Sequence, residues 1–244
     1  MSPIVALPKS KWSRVVVKLS GEALQGDSAY GLDAATLSRI AADLAAASAA
    51  GHQIAVVVGG GNFFRGIKGA DSGIERARAD SIGMLATVMN GLALEQAIEG
   101  QGRPARCLSA VPMPSVCESF SRRAALHHLQ KGRVVIAAGG TGNPFFTTDT
   151  GAVLRAAELS ADAVLKATQV DGVYTSDPKR DPTAQRYDAL THDEAISKNL
   201  AVMDTAAFAL ARENRIPIIV FSIAETGAIS ATLAGQGRAT VVSA

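Results

Sequence analysis

Cysteine, blocks of like charge and long apolar runs are all scarce in this chain, and each scarcity excludes something. Cys107 and Cys117 are the only two cysteines in 244 residues. They are too few for a disulfide framework and lack the CxxC or Cys/His spacing of a zinc site, so a reduced, cytoplasmic setting is expected. The 24 basic and 22 acidic side chains are mixed along the chain and leave a net charge of +2, which excludes a general nucleic-acid-binding surface. The longest uncharged apolar run, "SIGMLATVMNGLAL" (81–94), falls short of the roughly 20 residues that cross a bilayer, so no membrane role is expected. The opening "MSPIVALPKSKWSR" is broken by prolines and has no small-residue cleavage pattern, so it does not read as a signal peptide. Residues 1–13 read as a flexible arm that Trp12 would anchor. Two nucleotide fingerprints are also missing: neither GxxxxGK[ST] nor a GxGxxG after the first strand occurs. A P-loop kinase and a dinucleotide oxidoreductase are thereby disfavoured.

With 48% hydrophobic residues there is ample material for a core. β-Branched runs alternate with helical periodicity: strands are expected at 14–19, 53–61, 105–110, 133–138, 163–168, 216–221 and 239–243, and helices at 33–51, 71–99, 117–131, 148–160 and 203–214. Runs such as "QIAVVVGGG" do not alternate, as suits parallel strands covered on both faces. The expectation is an α/β layered fold with a mostly parallel central sheet, in a single domain from 14 to 244. Within the apolar run, Ile82, Leu85, Ala86 and Met89 form one stripe and Met84 and Val88 another. Such a helix is buried on more than one side, either in a subunit interface or at the centre of a monomer.

Three strands end in loops rich in glycine and hydroxyl groups: "VVVKLSGEAL" (15–24), "VVVGGGNFFRG" (56–66) and "VIAAGGTGNPFFTTD" (135–149). Ligands of open parallel sheets bind beyond the carboxyl ends of the strands. Glycine lets the backbone approach a ligand closely, and converging amides with a helix N-terminus hold anions. One such loop is ordinarily just a turn. Three in one sheet, with Lys18, Arg65 and Lys166 at or near strand ends, describe a polyphosphate site.

"KLSGEAL", "GGGNFFRG", "ADSIGMLATVMNGLAL", "GTGNPFFTTDT", "VLKATQVDGVYTSDP" and "VMDTAAFALARE" resemble, in order and spacing, the bacterial uridylate kinases of the amino acid kinase superfamily. The likeness runs from about residue 14 to the C-terminus, and "GTGNPFFTTD" is its most specific motif. It implies a three-layer αβα sandwich, a homohexamer, and magnesium-dependent phosphorylation of UMP by ATP. On matching residues it implies ATP contacts at Lys18, Leu19, Ser20, Gly21, Gly61, Arg65, Thr168, Tyr174 and Asp177. It implies a UMP cradle of Gly60, Asp80 and the run Thr141, Gly142, Asn143, Pro144, Phe145, Phe146, Thr147 and Thr148, with Asp80 on the ribose hydroxyls. Lys18, Arg65 and Lys166 would carry the catalysis, with Asp149 and Asp204 organising the lysines or magnesium. Arg106 and Arg133 fit two arginines of a GTP effector site, and UTP would compete where UMP binds. Glu95 stands where a third effector arginine is expected and would oppose a triphosphate. Gln169 replaces a common lysine, which removes one nucleotide contact.

Simpler readings stand beside these. Asp149 would serve as a helix N-cap, Phe145 and Phe146 as core or interface packing instead of a stack on uracil, and Asp177 and Asp181 as turn residues before proline. The four histidines, His52, His127, His128 and His192, read as exposed or locally bonded. Two rival functions remain: a superfamily kinase acting on a carboxylate, and a non-catalytic nucleotide or oxyanion binder on the same scaffold.

Overall fold

A computed structural model of the chain describes residues 12–64, 73–178, 180–200 and 202–244. The arm (residues 1–11 of it) and Arg65 lie outside these residues. Trp12 is buried in the core, and its carbonyl lies 2.7 Å from His52 Nδ1.

Among the described residues eleven strands occur: β1 (Arg14–Leu19), β2 (Gln53–Val58), β3 (Ala105–Ser109), β4 (Glu118–Ser119), β5 (Val134–Ala138), β6 (Ala163–Thr168), β7 (Val173–Tyr174), β8 (Arg186–Tyr187), β9 (Ala189–Thr191), β10 (Ile218–Ser222) and β11 (Ala239–Ser243). Nine form one sheet in the order β4-β3-β5-β2-β1-β6-β10-β11-β9, while β7 and β8 make a separate hairpin. Every pairing in the large sheet is parallel except β10 with β11. The α-helices are α1 (Ala34–Ala49), α2 (Arg76–Gly100), α3 (Arg122–Gln130), α4 (Thr148–Leu159), α5 (His192–Ser197), α6 (Thr205–Glu213) and α7 (Ala228–Leu233).

Strand residues alternate between two cores because successive side chains leave opposite faces of a pleated sheet. Val15, Val17, Leu19, Ile54 and Val56 pack with α1, α2 and α7; Val16, Ala55, Val57 and Val164 pack with α3, α4, α5 and α6. This is the three-layer αβα arrangement. Lys18 and Lys166 fall in the same alternation as Val16 and Val164, so both project toward the α4 side.

Several expected elements are shorter than the sequence suggested. Ser121 accepts a bond from the Ala124 amide and starts α3 at 122, so the helix expected from 117 is corrected; Glu118 and Ser119 form β4 instead. The helix expected from 71 begins at Arg76, past Gly73 at φ +80; residues 71 and 72 lie outside the described set. The strand expected to reach 61 ends at Val58, and its three glycines form the following loop. The short elements β7, β8, β9, α5 and α7, and a 3₁₀ turn at Gly21–Leu24, have no periodicity long enough to announce them.

The expectation for histidines fails at His192. Its ring is 1% exposed beside Phe208, and neither nitrogen has a hydrogen-bond partner. Burial lowers its pKa from 6.5. The unfolded chain therefore takes up the proton more readily, so this residue's stabilising contribution is intact above the unfolded value and declines as pH falls below it. Urea midpoints measured from about pH 8 down to about pH 5 should fall less steeply in His192→Leu than in the unmodified protein; equal slopes would remove His192 from the account.

Candidate active site

β5, β2, β1 and β6 are consecutive, parallel neighbours, so the loops after all four crowd one rim of the sheet. Lys18 and Lys166 are register partners on β1 and β6, exposed only 7% and 8%. Two ammonium groups side by side in a buried place repel each other and need an anion between them. Asp149 is that anion. Its Oδ1 is 2.8 Å from Lys18 Nζ, and its Oδ2 accepts a 2.7 Å hydrogen bond from Lys166 Nζ. Lys166 also donates to the Val202 carbonyl.

The cap of α4 is Thr147, whose hydroxyl accepts bonds from the Asp149 and Thr150 amides. The simpler reading of Asp149 as the N-cap is thereby corrected: it is the second helical residue, free to reach the lysines. Burial by itself would raise the Asp149 pKa, but the two lysines outweigh it and hold the carboxyl below its usual range. Burial also lowers the Lys166 pKa, with Asp149 opposing and Lys18 reinforcing the shift.

Asp204 caps α6 through the Ala207 amide and accepts further bonds from the hydroxyls of Thr150 and Thr147. It ties α6 to the first turn of α4, and its nearest bonded partners are these threonines, not the lysines.

Around this centre lie two cavities. The first, about 230 Å³, is lined by Gly60, Asp80, Thr141, Asn143, Phe146 and Thr148 from the expected cradle, by Met84, read in the sequence only as a packing residue, and by Phe64 and Thr87, which the sequence reading did not single out. Gly142, Pro144, Phe145 and Thr147 do not line it. Phe145 and Phe146 are 66% and 53% exposed, so neither is core packing. Asp80 accepts from Arg76 Nε (3.0 and 2.9 Å to its two oxygens) and from the Phe145 amide (2.8 Å). The second cavity, about 450 Å³, is lined by Tyr174 and Asp177 together with Val170, Leu200 and Val202. Thr168 bonds the Val170 amide and carbonyl, and the Tyr174 hydroxyl donates to Asp171. Lys18, Lys166 and Asp149 line neither cavity themselves, but Thr148, beside Asp149, lines the first, and Val202, whose carbonyl accepts from Lys166, lines the second.

At Gly60 and Gly21 the loops leave no room for a side chain. A Cβ on Gly60 would lie 2.8 Å from the Gly83 carbonyl oxygen and from Ala86 Cβ. One on Gly21, beside Leu19 and Ser20, would lie 2.5 Å from Asn62 Oδ1 and 2.7 Å from the Gly61 nitrogen. Buried Asn62 and Asn90 exchange amide hydrogen bonds and also hold the Gly31 and Gly59 carbonyls. Thr87 accepts from the Gly139 amide. Arg155, 4% exposed, donates to the Gly140 carbonyl and lies 3.9 Å from the Phe120 ring. Uncharged amides inside an apolar run were the one available signal for Asn90; Arg155 had none.

The two arginines assigned to an effector site are already engaged. Arg106 lies 2.8 Å from Glu99 and 3.8 Å from Glu95, and Arg133 donates to His128 Nδ1 at 2.8 Å. With Nδ1 accepting, His128 carries its proton on Nε2 and donates to Glu118 at 3.0 Å. Burial raises the Glu95 pKa.

A parallel αβα sheet with two buried lysines bridged by one carboxylate, and glycine loops at the same rim, defines an anion-transfer scaffold rather than a P-loop or dinucleotide fold. Residues 13–222 match the amino acid kinase family, and the chain belongs to that family. It is similar over nearly its whole length to curated uridylate kinases: 61% identical to that of Azorhizobium caulinodans over 97% of this chain and 100% of that protein, and 59% identical to that of Agrobacterium fabrum over 96% and 97%. Among solved structures, UMP kinases from Ureaplasma parvum and Bacillus anthracis superpose with TM-scores of 0.91 each. They are 37% and 38% identical to this chain, cover 95% of it, and are themselves covered to 99% and 96%.

Proposed function

We propose that the chain is a UMP kinase of pyrimidine nucleotide metabolism, moving the γ-phosphoryl group of ATP onto UMP to give ADP and UDP. The observation that carries this is the Lys18–Asp149–Lys166 cluster, whose neighbours Thr148 and Val202 line two separate cavities, one of them bearing Asp80. A nucleoside monophosphate has a second pKa of about 6, so its attacking oxygen is largely ionised at neutral pH and needs no general base. What the protein must supply is in-line alignment and cations against the charge of the transferring group. Lys18 and Lys166 supply charge. The first turn of α4 and the loops at Gly21, Gly60 and Gly61 supply amides and close backbone approach. Asp149 keeps the two ammoniums near each other before phosphate arrives, and Arg65 belongs to the same site by its sequence match.

Magnesium enters in this reading as the counter-ion of the nucleotide. That fits an ion held mainly by phosphates and water, the usual habit of Mg²⁺, and no protein ligand is assigned to it.

ADP release with Mg-ATP and, in parallel, UMP, CMP, AMP and acetylglutamate tests the proposal. Turnover with UMP that Lys18→Ala abolishes is expected. Turnover with the carboxylate would select the superfamily rival, and none with any acceptor the binding-protein rival.

The assembly is a homohexamer in this reading, supported by Leu85 and Met89, which remain 45% and 51% exposed on α2. A monomeric mass by light scattering would remove it. GTP activation should be weak, because Glu99 and Glu95 already neutralise Arg106; UTP would compete in the UMP cavity. Among the described residues no helix is long and apolar enough to cross a membrane.

A further inference from the structure

Arg76 occupies a place that helix physics does not favour. It is the first residue of α2, where the helix dipole disfavours a cation, and it pairs with Asp80 in the poorer i,i+4 order, base before acid. The pair is not there to steady the helix. Its Nε reaches both carboxylate oxygens of Asp80, at 3.0 and 2.9 Å. The Phe145 amide, from the loop before α4, donates to the same carboxylate at 2.8 Å. Phe145 makes that bond at φ +71, a left-handed conformation that a non-glycine residue rarely adopts. The Arg76 guanidinium lies 5.9 Å from the centre of the Phe145 ring, so it touches both the carboxylate and the strained loop residue.

We propose that Arg76 is a positioning residue that turns Asp80 into a reader of vicinal hydroxyls, and so sets the preference for ribose over deoxyribose. This rests on the reading of the 230 Å³ cavity as the UMP pocket. An ionised carboxylate offers about four acceptor positions. Arg76 and Phe145 occupy part of that set and fix the plane of the group, leaving acceptor capacity on a carboxylate that lines the cavity. A sugar with hydroxyls on two adjacent carbons uses that capacity fully, and a deoxy sugar leaves part of it unmet. A site built around a hydroxyl penalises the analogue that lacks it far more than a shape-only pocket does. Without Arg76 the carboxylate swings and takes water, and the penalty fades.

The test measures kcat and KM for UMP and dUMP at saturating Mg-ATP in the unmodified enzyme, Arg76→Gln, Arg76→Lys and Asp80→Asn. Arg76→Gln should raise the UMP KM about tenfold, leave kcat within about twofold, and lower the UMP-to-dUMP ratio of kcat/KM about tenfold, toward that of Asp80→Asn. The KM for ATP should stay put. Arg76→Lys, which keeps the charge and loses the planar donor, should recover only part of the ratio. If Arg76→Gln weakens both nucleotides equally, lowers kcat alone, or changes nothing, the proposal is wrong. An unmodified enzyme that turns over UMP and dUMP alike also overturns it. No turnover of UMP by the unmodified enzyme would instead strike the function reading on which it rests.

Discussion

Asp149→Asn should lower kcat by about two to three orders of magnitude while moving the KM for UMP by less than about threefold. The amide keeps the shape of the carboxylate and removes the charge that lies 2.8 Å from Lys18 and 2.7 Å from Lys166. Two ammoniums, each about 10% exposed at the side chain, are then left as register partners with nothing between them. Breaking a buried ion cluster by removing one partner costs about 3–5 kcal/mol, so the urea midpoint should fall as well. Stability and turnover can be separated. Saturating ATP should restore much of the midpoint, because its phosphates offer the lysines another anion, yet it should not restore kcat. A variant with near-normal kcat would show that Asp149 is only a structural counter-charge.

Gly21→Ala should also remove most activity, for a steric reason. The added methyl would meet Asn62 Oδ1 at 2.5 Å, the Gly61 nitrogen at 2.7 Å and the Gly59 carbonyl oxygen at 2.9 Å. Two of these are backbone atoms, and Asn62 is pinned by its exchange with Asn90, so none can yield cheaply. Forcing the loops after β1 and β2 apart should cost about 1–3 kcal/mol of stability and raise the KM for ATP. Gly100→Ala, at the end of α2 with open space around it, is the control and should leave both unchanged. If Gly21→Ala behaves like that control, the close contact between the two loops is not a constraint on the site.

The sequence carried the layered fold because its longer strands are continuous apolar runs, and because Asp33 caps α1 where the periodicity starts. It did not carry the short elements, whose two to six residues are set by what they pack against. The pairing of Lys18 with Lys166 through Asp149 was legible only as chemistry: a lone carboxylate in a phosphate-binding stretch needs a cation. Which oxygen meets which lysine depends on the register of β1 with β6. Arg76 and Arg155 escaped notice because a cation on an exposed helix turn and one buried against a ring look alike in one dimension. His192 escaped for the same reason: its turn-like sequence context says surface, whereas its contact with Phe208 puts it inside.

The order of strands has a bearing on how the chain is made. β4, β3, β5, β2 and β1 all come from residues up to 138, and β6, β10, β11 and β9 all come later, so the sheet has an early half and a late half that meet where β1 joins β6. While the chain is still leaving the ribosome, the early half ends in β1 as an open edge, before Asp149 or Lys166 has been synthesised. Lys18 then stands unpaired on that edge, and a lysine on an open strand is one of the means by which sheets avoid pairing with their neighbours. The ammonium that later faces phosphate would thus first protect the growing chain from its own copies, and the seam that joins the early half to the late half is the one that holds the reaction centre.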